Sequence, residues 1–239
     1  MKHLFRFHGQ RSDTGSWELM AEEWHHLLKV LRLSAGDRIE ITDGQGWVGR
    51  ATLAEVSKNV GTLALEGETF YPRTLRQNEL TLGLGILKPQ GIDEVLPGLV
   101  EIGVQRLLLI PFFGMDKARV SEKLLDRWQR QIIAASKQAK APWFPELEVM
   151  KSFEAFLLAS SEYPVRYLLD PEGEAFALQP AKEGQALAVI GSEAGWNPAE
   201  LEAFAAGGFR KLRLKSNILR ATTAVLATAA ILKQNMPET

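Results

Sequence analysis

The residues best suited to chemistry in this chain gather in two short stretches toward its C-terminal end. The first is Gly191-Ser192-Glu193-Ala194-Gly195-Trp196, which follows the apolar run Ala186–Ile190 and precedes Asn197-Pro198-Ala199-Glu200. The apolar run predicts a strand buried on both faces. Asn197 reads as an N-cap, with Pro at the first helical position and an acid three residues after the cap. A small-residue loop between a strand and a capped helix lets backbone amides and carbonyls approach a flat ligand closely. The second stretch is Lys215-Ser216-Asn217-Ile218-Leu219-Arg220-Ala221-Thr222-Thr223-Ala224, between the strand candidate Arg210–Leu214 and a long helix of small and apolar residues. Glu193 precedes the predicted helix, where an acid complements the helix dipole.

Other chemistries are set aside by composition and context. The 239 residues include no cysteine, which excludes disulfides, thiolate metal sites, iron–sulfur clusters and cysteine nucleophiles. The four histidines (His3, His8, His25, His26) fall within the first 26 residues without a helical His-x-x-x-His or a carboxylate cluster, so no metal site is expected. Gly44-Gln-Gly-Trp-Val-Gly49 matches the dinucleotide fingerprint in letters only, because it follows a hairpin signal and opens no helix. Gly191-Ser-Glu-Ala-Gly195 is not the Gly-x-Ser-x-Gly of a hydrolase.

Charge is balanced, with 28 basic against 29 acidic residues and a net charge of −1, so no global field draws polyanions. Two local excesses remain. Lys117 to Lys140 carries seven basic residues and two acids, and Ala203 to Asn235 carries six basic residues and no acid. Such patches fit selective phosphate contact, or simply solvated helix faces. The uncharged stretch Ala221–Leu232 is too short to span a bilayer, and Arg6 with His8 interrupts any early apolar run. The expectation is a soluble, cytoplasmic protein with no membrane partner.

The elements that position these residues divide at Tyr71-Pro72-Arg73. Before it, Glu22–Leu33 predicts a helix with Trp24, Leu27, Leu28 and Leu31 on one face. Arg38–Thr42, Trp47–Val56 and Gly61–Leu65 predict strands, with Asp43-Gly44 as a hairpin signal. That is a small β-barrel or meander. After it, strand candidates (Leu80–Leu87, Arg106–Pro111, Val165–Asp170, Ala186–Ile190, Arg210–Leu214) alternate with helices (Ile92–Ile102, Ser121–Lys140, Ser152–Ser160, Pro198–Ala206, Ile218–Lys233). Alternation with continuous apolar strands predicts an α/β domain with ligands beyond the carboxyl ends of its strands.

Leu-x-x-Asn-Ile-Leu-Arg-x-x-Thr-Ala at a strand–helix junction, preceded about 20 residues earlier by Gly-x-Glu-x-Gly, resembles the RsmE-type ribosomal RNA uridine-N3 methyltransferases of the SPOUT superfamily. The likeness covers nearly the whole chain. His25-His26-Leu-Leu-Lys-Val-Leu-Arg32-Leu and Gly36-Asp37 resemble the family's PUA-like domain. Lys88 to Gly103, Arg106–Pro111 and the segment Arg127-Trp128 to Gln138 resemble the next helix, strand and helix. The chain departs from the family at Ser192 and Ala194, where Pro and Gly are usual, and at Lys215, Asn217 and Thr222, where Gly, Arg and Glu are usual. Lys137 stands for another Glu.

The resemblance implies a PUA-like β-barrel at residues 1–71 and an α/β trefoil-knot domain with a mostly parallel sheet at residues 72–239. It implies S-adenosylmethionine held by Leu169, Ile190, Gly191, Ser192, Glu193, Ala194, Gly195, Leu214, Lys215, Ser216, Asn217, Ile218 and Leu219, with Arg220 and Glu193 catalytic. RNA contacts are expected at Arg32, Lys88, Arg119, Arg127, Arg130 and Lys137. The implied activity is methylation of a uridine N3 in 16S rRNA by a homodimer. Two alternatives stand beside it: an RNA-binding or ribosome-assembly protein that has lost catalysis, and a methyltransferase for another RNA site.

Overall fold

The computed structural model describes residues 4–57, 60–73, 79–112, 120–175 and 186–236. They fall into two compact units, Met1–Arg73 with Ile133–Phe144, and Thr74–Ile132 with Pro145–Thr239.

The first unit holds a five-stranded sheet. Its strands are β1 (Arg6–Arg11), β2 (Trp17–Leu19), β3 (Arg38–Thr42), β4 (Trp47–Val56) and β5 (Gly61–Phe70), in the order β2-β1-β3-β4-β5. β1 runs parallel to β3, and the other neighbours are antiparallel. Phe7, Trp24, Leu27, Ile39, Ile41 and Leu53 close the core. The helix expected over Glu22–Leu33 is shorter: α1 (Ala21–His25) passes into a π-helical turn, His26–Val30, and Arg32 turns left-handed at φ +54°. Asp43 Oδ1 accepts from the amides of Gln45 (2.7 Å) and Trp47 (3.1 Å), and Gly44 takes φ +70°. The Gly44–Gly49 letters are therefore a hairpin, as their context predicts. Residues 133–144 join this unit by a bridge between Gln45 and Trp143 and by ion pairs from Lys137 to Glu23 and from Lys140 to Glu40.

The second unit is an α/β sheet. In chain order it contains β6 (Leu80–Gly85), α2 (Pro89–Ile102), β7 (Arg106–Ile110), α3 (Glu122–Gln138, whose last turns belong to the first unit), β8 (Glu146–Val149) and α4 (Phe153–Ser160). β9 (Val165–Ala175), β10 (Ala186–Ile190), α5 (Pro198–Ala206), β11 (Arg210–Arg213) and α6 (Ala221–Gln234) follow. All six strands are parallel, in the order β11-β9-β10-β6-β7-β8. Every residue of β6 and β10 is buried, which is why both read as uninterrupted apolar runs. The expected fold class, a PUA-like β-unit followed by a parallel α/β unit, holds. β9 and α6 differ from expectation. β9 runs on through Pro171 to Ala175, and α6 starts at Ala221 because Arg220, its N-cap, is extended (φ −65°, ψ 152°).

Candidate active site

The carboxyl ends of β6, β9 and β10 lie side by side, and a cavity of about 760 Å³ opens there. Each wall follows from local sequence. β10 ends at Ile190, and Ser192 to Gly195 makes a tight turn in which the Gly195 amide donates to the Ser192 carbonyl (2.9 Å). Gly195 sits at φ +73°, a conformation that disfavours other residues. The turn feeds α5, whose Asn197 side chain accepts from the Glu200 amide (2.9 Å) while Glu200 accepts from the Asn197 amide (2.8 Å). This reciprocal cap is the one the sequence predicts.

A second wall comes from an excursion in β9. β11 pairs Lys211 with Leu168 and then Leu212 with Glu174, so residues 169–173 have no partner on β11, although Leu169 still pairs with Ile190 of β10. Leu169, Asp170 and Pro171 of that excursion line the cavity. Gly173 lets the chain return: a Cβ there would lie 2.7 Å from the backbone of Leu212. The third wall is the β6–α2 junction with Lys88, Gln90, Gly91 and Glu94, and the fourth is the start of α6 with Leu219, Arg220 and Thr222. Gly85, the last residue of β6, permits close approach of the loop, since a Cβ there would lie 2.8 Å from the Ser192 amide nitrogen. Glu193 Oε1 accepts from the Lys88 amide at 3.4 Å, linking two walls. Asp170 pairs with Lys211 (3.3 Å).

Residues 74–233 match the RNA methyltransferase domain, and residues 21–62 match the RNA methyltransferase PUA domain. The chain belongs to the RNA methyltransferase family. The ribosomal RNA small subunit methyltransferase E of Synechocystis sp. is 31% identical over 86% of this chain and 69% of its own length. The ribosomal RNA small subunit methyltransferase E 2 of Borreliella burgdorferi is 28% identical, over 89% and 88%. The fold is shared with the ribosomal RNA small subunit methyltransferase E of Neisseria gonorrhoeae, a structure bound to S-adenosylmethionine (23% identity, TM-score 0.77, covering 97% of this chain and 98% of that one).

Within this RNA methyltransferase, the cavity gathers Leu169, Ile190, Gly191, Ser192, Glu193, Ala194, Gly195, Leu219 and Arg220 of the expected site, together with Lys88. It does not gather Leu214, Lys215, Ser216, Asn217 and Ile218. Residues 215–218 are exposed, and Ile218 is 98% accessible. Of the expected RNA contacts, Arg130 is exposed, and so is Arg32 in the first unit. Arg127 pairs with Asp93, which also accepts from Trp128 Nε1 (3.1 Å). Lys137 is committed to the buried Glu23. Arg119 lies outside the described residues. Sequence reasoning placed Trp196 in the loop that lines the cavity but missed Gln90, Glu94 and Asp170 as lining residues. Gln90 and Glu94 stand four apart on one face of α2, so finding either would have pointed to the other. Among the described residues no cluster of potential metal ligands occurs.

Proposed function

We propose that this protein transfers a methyl group from S-adenosylmethionine to N3 of a uridine in 16S rRNA, in the cytoplasm and as a homodimer. One observation carries the reading: the loop that follows β10, the start of α6 and the β9 excursion converge on one cavity at the strand ends. The donor fits this chemistry. A cavity of about 760 Å³ lies within the range of roughly 300–1,000 Å³ usual for small-molecule sites. Gly191 and Gly195 line the cavity without side chains, which leaves their backbone groups open to contact, and the carboxylates of Glu94, Asp170 and Glu193 suit a cationic ligand. We assign Leu169, Ile190–Gly195 and Leu219 to the donor and read the connections around β10 as a trefoil knot.

When bound, S-adenosylmethionine supplies an electrophilic methyl group open to in-line attack. The chain's part is positioning and electrostatics. Arg220, at the cavity edge, stabilises the negative charge that spreads onto uracil O2 and O4 as N3 gives up its proton. Glu193 takes that proton. N3 is reached only when the base is unpaired, so the substrate presents a flipped or single-stranded uridine. Arg130 and Lys88 are assigned to phosphate. Dimerisation through the second unit rests on Ile218, an isoleucine left in water beside the cavity, and on the apolar α6.

Thr222 favours a second reading, because the position where the family usually carries Glu lies in the cavity wall. A protein that binds RNA without transferring methyl would follow if that carboxylate is indispensable. Calorimetry with S-adenosylmethionine, paired with light scattering, tests the proposal. Stoichiometric donor binding at twice the 26.6 kDa chain mass is expected. A monomer that binds no donor overturns it.

A further inference from the structure

The first unit carries an aromatic row that neither its core nor the cavity uses. Arg11 stacks over Trp47, its guanidinium carbon 3.8 Å from the ring centroid. Trp47 lies 5.0 Å from Phe70, and Phe70 lies 6.4 Å from Trp143, edge to face. Arg73 sits over Trp143 at 5.6 Å. The row therefore reads cation, three rings, cation, and it is assembled from β1, β4, the end of β5 and the 133–144 segment. It is held in place. Glu68 accepts from Arg11 Nε (2.9 Å) and Nη2 (2.6 Å) and from Trp17 Nε1 (2.8 Å). Trp143 Nε1 donates to the Tyr71 carbonyl (2.9 Å). Gly46, at φ +101°, makes room for Trp143, because a Cβ there would lie 2.7 Å from the indole.

The core cluster of this unit includes none of Trp47, Phe70 and Trp143. Phe70 is 44% exposed and the adjacent Tyr71 is 47% exposed, two of three aromatic side chains so exposed among the described residues. Folding ordinarily removes such rings from water, so their joint exposure marks a surface that is covered by something else. The partner must tolerate guanidinium at both ends of a row of π-faces. A nucleic-acid strand does, because unstacked bases lie on rings and guanidinium planes while phosphates meet the cations. A duplex hides its base faces and could engage the arginines alone.

We propose that Trp47, Phe70, Tyr71 and Trp143, flanked by Arg11 and Arg73, form a stacking platform for a single-stranded segment of the RNA substrate. This rests on the reading of RNA as substrate and adds a recognition surface outside the methyl-transfer cavity. The test uses the full chain with a fluorescein-labelled single-stranded uridine-rich 12-mer and a blunt duplex of equal length, read by anisotropy. The variant Phe70→Ala/Tyr71→Ala removes only exposed rings, and Phe70→Trp keeps an aromatic face. Single strand should bind more tightly than duplex. The double variant should lose at least tenfold in single-strand affinity with little change for duplex, and Phe70→Trp should bind like the parent. Equal affinity of parent and double variant for the single strand overturns the proposal, as does an equal loss on both RNAs or a parent that binds neither. S-adenosylmethionine binding is measured on the same proteins. A parent that binds the single strand through these rings yet takes up no donor contradicts the methyltransferase reading and leaves the platform standing.

Discussion

Gly85→Ala places one methyl group at the point where β6 meets the loop after β10. The new Cβ would lie 2.8 Å from the Ser192 amide nitrogen and 3.1 Å from the Trp196 ring. Ordinary contact begins at 3.4 Å, so something must yield by about 0.6 Å (3.4 − 2.8). The strand is poorly placed to yield, because it is buried throughout and paired on both sides, with β7 and with β10. The loop moves instead, and it forms one wall of the cavity. Overpacking of this kind costs about 1–3 kcal/mol. For a chain of this size each kcal/mol lowers Tm by roughly 2–4 °C. Donor affinity should fall about tenfold or more, about 1.4 kcal/mol, since displacing Ser192 also displaces Gly191 and Glu193. Gly67→Ala is the control: no atom lies within 4 Å of its Cβ and its backbone is not left-handed, so both quantities should hold. Calorimetry with S-adenosylmethionine and thermal unfolding on the two variants decide it. Unchanged affinity in Gly85→Ala, with Tm lowered, would refute the idea that this contact sets the donor site.

Three further outcomes are expected. Arg220→Ala should slow single-turnover methyl transfer by about 2–4 kcal/mol of barrier while donor affinity stays close to the parent's, because its partner charge develops mainly in the transition state; weak donor binding with transfer per bound donor intact would contradict this. Lys137→Met leaves Glu23, 7% exposed and with Oε2 already unpartnered, without its cation. Urea unfolding should show a loss of about 3 kcal/mol, and a loss below about 1 kcal/mol would show that the pair contributes little. His8 is held below its ordinary pKa chiefly by burial and also by Lys137, against opposing pulls from Glu23 and Asp43. The folded state therefore takes up this proton less readily than the unfolded chain, so stability is full above about pH 6.5 and declines as pH falls through the folded-state value. His8→Gln should flatten the urea-midpoint decline between about pH 7 and 5; an unchanged slope would assign that decline to other groups.

The parts of the site that rest on local rules were legible in the sequence. β10 and α5 have the expected bounds, because an apolar run ending in glycine and an Asn-Pro-x-Glu cap act within a few residues. β3 and β4 were legible for the same reason. The β9 excursion was not. Pro171 and Gly173 resemble a strand end, and only the pairing of β11 with residues on both sides of the excursion makes them part of one strand. The lining by Asp170 was hidden with it. Lys137 lay on a basic helix and read as RNA-facing, yet its partner Glu23 is 114 residues away, beyond any local pattern. The strands β1, β2 and β8 are short and half-buried. β8 alternates exposed and half-buried positions, a period-two signal that four residues barely display. Residues 215–218, which the family resemblance implies at the donor, lie exposed just ahead of the α6 N-cap Arg220 and outside the cavity lining.

Mass spectrometry of 16S rRNA nucleosides from a strain lacking this protein, compared with its parent and with the same strain carrying Arg220→Ala, tests the central claim most directly. 3-Methyluridine should be present in the parent and lost in the deletion strain. The intact protein should restore it, and Arg220→Ala should restore it only weakly. Unchanged 3-methyluridine in the deletion strain, or loss of a different methylated nucleoside, would contradict it.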